Sequence, residues 1–214
     1  MKTSIFTTAF NYGASDLAVF LNSARLNGYG GDIVVFGGGL TGGYRSLFQR
    51  LDVRLVEIGE APRHFSKARW GLYVPYLSQY DFIIGLDSRD VAIQTDLLAL
   101  SESGLHVTEE AGPIHIEGYN RQWTIDEYGH AVFDRIKDCP IVCGGTIWGD
   151  AESMHELCVF MNERCESSKV TDQGILNGAV RTGLLTAVVH PNRERVWTLA
   201  LEGYTGESDP ITPV

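Results

Sequence analysis

The chain has 214 residues, 44% of them apolar and 21% charged, and carries a net charge of −10. That length suits one α/β domain with a sizeable core, and the composition is globular rather than disordered. The acidic balance, with no dense Lys/Arg run, argues against nucleic acid or an anionic membrane as the main partner, while leaving room for a phosphate bound by a few local groups.

Thr3 to Phe10 predicts a first strand, closed by the turn signal Asn11-Tyr12-Gly13, with Ser15 as the expected helix N-cap. Leu17, Phe20, Leu21 and Ala24 follow at helical spacing, and Asn27-Gly28 stops that helix. Asp32 to Phe36 is a second strand, Tyr44 to Leu51 a short helix, and Val53 to Ile58 a third strand. Phe65, Ala68, Leu72 and Tyr76 mark a third helix that Pro75 should kink or end. The apolar run Phe82 to Leu86 then fits a strand buried on both faces. This alternation predicts a mostly parallel sheet flanked by helices, a Rossmann-related α/β domain.

The second half is less regular. Asp96 to Leu100 reads as a helical turn, Gly104 to Glu109 and Pro140 to Trp148 as strands, and Glu152 to Cys165 as a helix with Met154, Leu157, Cys158 and Met161 inward. Thr171 is expected to cap a helix running to about Val180, and Leu184 to Val189 to form a strand ending at His190. Gly112 to Tyr128 is polar and aromatic without a clear period, which predicts a long functional loop. The domain is expected to span 1–205, with a nucleotide-binding half at 1–100 and an acceptor half at 101–205. The tail 206–214 reads as a linker, so the chain is expected to be one domain of a longer polypeptide. No stretch reaches the roughly 20 apolar residues of a membrane span, and the N-terminus lacks the apolar length of a signal peptide. The four cysteines, at 139, 143, 158 and 165, match no common zinc spacing and are expected to be buried thiols in a reducing, cytoplasmic compartment.

The candidate chemistry gathers where the apolar run meets Asp87, Ser88, Arg89 and Asp90. Ligands of open α/β sheets bind at the carboxyl ends of strands. Two carboxylates there could hold a hard divalent cation, and an Arg could meet a phosphate. A solvated turn with an Asp–Arg pair is the plain alternative. Asn11-Tyr12 could hydrogen-bond and stack on a base. Lys67 or Arg69 could reach a diphosphate, Arg69 being preferred. Asp172-Gln173 could present a carboxylate or amide to a sugar, and His190 could join a metal. Gly37 to Gly42 satisfies the dinucleotide pattern G-x-G-x-x-G, but after the second strand rather than the first, so a flexible connection is favoured.

The run from Arg69-Trp70 through Tyr80 and Asp87-Ser-Arg-Asp90 to Gln94 resembles the nucleotide-sugar-binding half of GT-A glycosyltransferases. It is most similar to a subgroup with Asp-x-Arg-Asp where most members carry Asp-x-Asp. Over its whole length the chain also resembles compact viral glycosyltransferase domains that build capsid glycans, which would place it in the host cytoplasm. The resemblance implies transfer of a sugar from a UDP-sugar to a glycan acceptor, assisted by Mn²⁺ or Mg²⁺. Thr8, Phe10, Asn11, Tyr12, Lys67, Arg69, Asp87, Ser88 and Arg89 would then bind the nucleotide-sugar. Asp87, Asp90 and His190 would hold the metal, and Thr171 to Asn177 would face donor sugar and acceptor. Asp172, then Asp150, is the candidate base for inversion, while the Asp172-Gln173 pair looks more like retaining relatives, which is the preferred outcome. Arg89 stands where the usual second metal carboxylate is expected. The rival expectations are an NAD-binding oxidoreductase using Gly37 to Gly42 and a non-catalytic sugar-nucleotide binding module.

Overall fold

The computed structural model, which describes residues 1–198, turns this alternation into one seven-stranded sheet. The first half comprises β1 (Thr3–Phe10), α1 (Ala14–Leu26), β2 (Asp32–Gly38), α2 (Tyr44–Arg50), β3 (Val53–Glu57), α3 (Phe65–Leu77) and β4 (Phe82–Leu86). A 3₁₀ turn at Leu97–Leu100 leads to β5 (Leu105–Pro113), α4 (Gly118–Tyr128), α5 (His130–Ile136), β6 (Pro140–Asp150), α6 (Ala151–Ser167), α7 (Asp172–Thr182) and β7 (Val188–His190). The expected linker at 206–214 lies outside the described residues, as do 199–205.

The strand order is β3-β2-β1-β4-β6-β5-β7. Every recorded pairing is parallel except those of β6, which runs antiparallel to both β4 and β5. Helices cover both faces, so adjacent strand residues are buried on opposite sides. Phe6 and Ile83 pack with α3, α6 and α7, whereas Ile5 and Ile84 pack with α1 and α2. Phe6 meets Phe36, Tyr73 and Tyr80 in tilted, edge-on contacts at 5.2–5.5 Å. Truncating such a fully buried ring to Ala would cost about 3–5 kcal/mol.

Four local expectations change. Gly13, not Ser15, caps α1, and its N–H donates to Asp16 Oδ2 at 2.8 Å. Pro75 does not end α3, which continues to Leu77; lacking an N–H, it gives up one bond to the preceding turn without stopping the helix. The final strand is confined to Val188–His190. The stretch read as a long loop contains the end of β5 and the whole of α4. Its hydrophobic period is missing because the buried side chains of α4 are Asn120 and Thr124. Thr124 Oγ1 donates to the Asn120 carbonyl at 2.8 Å, which satisfies the hydroxyl without an apolar stripe.

The glycine run has a packing reason. A Cβ at Gly37 would collide with the Ala9 carbonyl, and one at Gly38 with that of Ile58. Both glycines lie within β2 rather than in a phosphate-binding turn, so close approach of neighbouring backbone requires them.

Candidate functional site

After β1 the chain moves outward through β2 and β3, then returns to place β4 on the other side of β1. The carboxyl ends of β1 and β4 therefore flank the point where strand order reverses, the position at which open α/β sheets open a binding crevice. Asn11-Tyr12 follows one strand and Asp87 to Asp90 the other. Asn11 takes a left-handed backbone (φ 58°), a conformation its short polar side chain tolerates. Its N–H donates to the Gly38 carbonyl at 2.9 Å, and the Tyr12 carbonyl accepts from Thr41 N–H at 2.9 Å. These bonds brace the turn against the glycine run.

The expected nucleotide-sugar residues separate into two groups. Ser88 is buried and its hydroxyl donates to the Thr8 carbonyl at 2.9 Å, while Phe10 is buried against Phe65. The first contact ties the ends of β1 and β4 together, and the second ties β1 to α3. Asn11, Asp87, Arg89 and Asp90 are exposed, and Tyr12 is partly so. The Arg89 guanidinium lies 5.9 Å from the Tyr12 ring centre and 4.0 Å from Asp16. Burial raises the Tyr12 phenol above its ordinary pKa, and nearby Arg89 opposes that rise.

Arg69 departs from its expected role. It is buried, and both terminal nitrogens of its guanidinium are committed: one donates to Asp87 Oδ1 at 2.9 Å, the other to Gly144 O at 2.8 Å and Asp172 Oδ2 at 2.5 Å. Burial alone would favour losing the proton, but Asp172 and Asp87 outweigh it, so the guanidinium stays charged. Arg69 thus orients two carboxylates instead of facing a diphosphate. With one cation against two acids, the trio has a net charge of −1. Asp172 is buried, and its second oxygen accepts from Gln173 N–H at 3.1 Å. A carboxylate held this way is poorly placed to serve as a free base. The Asp87 side chain is 50% exposed, so it carries the trio's charge to the crevice.

Beside the trio lies a polar group that joins the expected site residue Gln173 to Glu110, an acid that the sequence did not single out. The Gln173 amide donates to Glu110 at 3.1 Å and to Asn120 at 3.3 Å. Asn177 accepts from Val142 N–H at 2.8 Å. Burial pushes the Cys143 thiol up to about 12, with Glu110 adding to the effect, which makes it a poor nucleophile. Glu110 and Glu109 are adjacent acids late in a strand, a pattern that signals polar surroundings but not which acid faces the site.

Burial also raises the Glu110 carboxyl, only partly countered by the Gln173 amide. The folded chain therefore holds this proton more tightly than the unfolded chain, and stability falls as pH rises through the window between the two values. Glu110→Gln is expected to be more stable than the parent at neutral pH, with the gap closing as pH falls toward 4.5. Urea titrations across that range check this, and a gap independent of pH contradicts it.

Three expected site residues lie elsewhere. Asp150 pairs with Phe82 at the start of β4, roughly 16 Å of strand from Asp87. There it caps α6; burial alone would raise its pKa, but the Ser153 and Gly104 amides hold the carboxyl below its ordinary value. Lys67 donates to the Ser168 carbonyl at 2.6 Å, tying α3 to the connection before α7. His190 lies on β7, three strands from β4, or roughly 14 Å. It is buried in a stack with Trp148, with His106 Nδ1 and His190 Nε2 3.0 Å apart.

Asp87, Asp90 and His190 therefore do not converge, and no group of three or more His, Cys, Asp or Glu residues suited to a metal occurs among the described residues. What remains for a cation is Asp87 with Asp90, which fits an ion that takes one or two carboxylates and completes its shell from phosphate and water. Among the described residues no helix is long and apolar enough to cross a membrane. The chain matches no protein-family model and no curated protein.

Proposed function

We propose that the chain is a glycosyltransferase that moves a sugar from a UDP-sugar to a glycan acceptor. The observation that carries this reading is the pairing of Asn11-Tyr12 with Asp87 to Asp90 across the crevice where strand order reverses. A nucleotide needs an aromatic or amide contact for its base and charge compensation for its diphosphate, and these two turns supply both. Tyr12 stacks on the base and Asn11 hydrogen-bonds its edge. Arg89, exposed at the mouth, meets the diphosphate where buried Arg69 does not.

The net charge of the Arg69, Asp87 and Asp172 trio suits a divalent cation, Mn²⁺ or Mg²⁺, held by Asp87 and Asp90. That ion would supply charge neutralisation to the departing diphosphate. Gln173, fixed by Glu110 and Asn120, orients the donor sugar and acceptor. Because Asp172 is held by Arg69, no strong base faces the crevice from this segment, and the retaining outcome is preferred. The four cysteines are free thiols, which suits a reducing, cytoplasmic setting.

A thermal-shift titration with UDP, GDP and NAD, each with and without Mn²⁺, tests the reading. UDP is expected to stabilise the fold, and Mn²⁺ to enlarge that shift. A shift with NAD alone would replace the transferase by an oxidoreductase. UDP binding without transfer or hydrolysis of any UDP-sugar would leave a binding module.

Gly145 offers a second check. A Cβ there would lie 2.6 Å from Asp87 Oδ2, too close to be accommodated without moving the carboxylate. Gly145→Ala is expected to remain folded and to lose the Mn²⁺-dependent part of the UDP shift. An unchanged shift would show that Asp87's placement does not matter for binding.

A further inference from the structure

A groove of about 650 Å³ runs between α4 and the connection from α6 to α7, within the roughly 300–1,000 Å³ range of small-molecule sites. Its most prominent feature is Tyr119, 71% exposed, whose ring stacks on Trp123 with centroids 5.6 Å apart and planes 30° apart. Trp123 is anchored: a Cβ at Gly174 of α7 would lie 2.5 Å from its own Cβ. Tyr119 therefore extends an aromatic surface from a fixed base into solvent.

On the rim, the Gln122 amide donates to Asp126 at 2.7 Å, which sets a carboxamide oxygen and a carboxylate side by side. Lys169 contributes an ammonium from the opposite wall. The groove also connects to the candidate site. Asn120, next to Tyr119 on α4, turns inward and accepts from Gln173 at 3.3 Å.

We propose that this groove binds a neutral glycan, an identification that rests on the glycosyltransferase reading for its role as acceptor subsite. A sugar ring has an apolar C–H face and a hydroxyl edge. Its slightly positive C–H groups suit the negative face of the aromatic pair. Adjacent hydroxyls suit neighbouring acceptors such as Gln122 and Asp126 and the donor Lys169. Asp126 and Glu127 stand against Lys169 and against Arg164, which pairs with Glu127 at 3.9 Å, so the local charges balance and leave no excess of cations to favour phosphorylated or carboxylated ligands. A glycan seated on Tyr119 would direct its end along α4 toward Gln173.

The test is capture of the purified chain on a printed array of neutral and acidic glycans. Neutral glycans are expected to bind, and Tyr119→Ala to weaken capture about tenfold through lost stacking. Tyr119 is exposed enough that this variant should melt like the parent. The subsite is overturned if no neutral glycan is captured, if acidic glycans are preferred, or if Tyr119→Ala and Gln122→Ala leave capture unchanged. It is also overturned if the chain self-associates and Tyr119→Ala makes it monomeric, because a second copy would then occupy the face. Thermal shift with UDP and Mn²⁺ on the same samples separates the two readings. A UDP shift without glycan capture removes only the subsite, while capture without a UDP shift removes the transferase and leaves a carbohydrate-binding face.

Discussion

Asp87→Ala is expected to abolish sugar transfer while leaving a folded protein. The carboxylate is the exposed end of the Arg69, Asp87 and Asp172 trio and one of two acids offered to a cation at the diphosphate. Losing one preorganised electrostatic contact of this kind typically costs about 10²–10³-fold in turnover. The stability cost should be small, because Asp87 is half exposed and solvent screens its pairing with Arg69; about 1 kcal/mol is the expected ceiling. Arg69 keeps its bonds to Gly144 and Asp172 in the variant. Release of UDP from UDP-sugars, followed beside the thermal melt, reads both effects. Asp87→Asn refines the result by retaining an oxygen for Arg69 while removing the charge. A fully active Asp87→Ala would end the assignment of this crevice as the transfer site.

Arg69→Met should have the opposite profile, a large loss of stability before any question of activity. Removing the guanidinium leaves Asp172, 5% exposed, without a countercharge. Breaking a buried pair from one side typically costs about 3–5 kcal/mol. Urea midpoints should fall accordingly. Adding Asp172→Asn to Arg69→Met should recover part of the loss, since the amide needs no cation, and the double-mutant cycle would show strong coupling. A loss below about 1 kcal/mol would mean that water reaches Asp172 and that the trio is not a dry network.

These two residues show how differently local pattern and tertiary context inform a site. Asp87 was legible because it ends an apolar run, and charges at the end of a buried strand are expected at a binding edge. Arg69 was legible as a cation of interest, but its burial was not. Only packing against Trp70, with its guanidinium 4.5 Å from that ring, and capture by two acids show that it positions other groups. Glu110 was hidden because it adjoins Glu109. In the fold Glu109 pairs with Arg181 at 2.7 Å, while Glu110 meets Gln173. Both partners lie on α7, and β5 shifts register at Glu109, so the simple alternation of strand faces does not separate the two acids.

The elements of the first half followed from local rules. Helical spacing, apolar runs and turn residues act over a few positions, so one reading of the chain sufficed for β1 through β4 and the helices between them. The same rules failed for α4, whose inward face is polar. Membership of the site was decided by long-range geometry. Arg69 meets Asp87 across 18 positions and Asp172 across 103. His190, attractive by type, was removed by strand order, which sets it three strands away beside His106. Local pattern reports which strands end in charge. Which charges then face one another depends on crossovers and sheet order, and those emerge only when the whole core is packed.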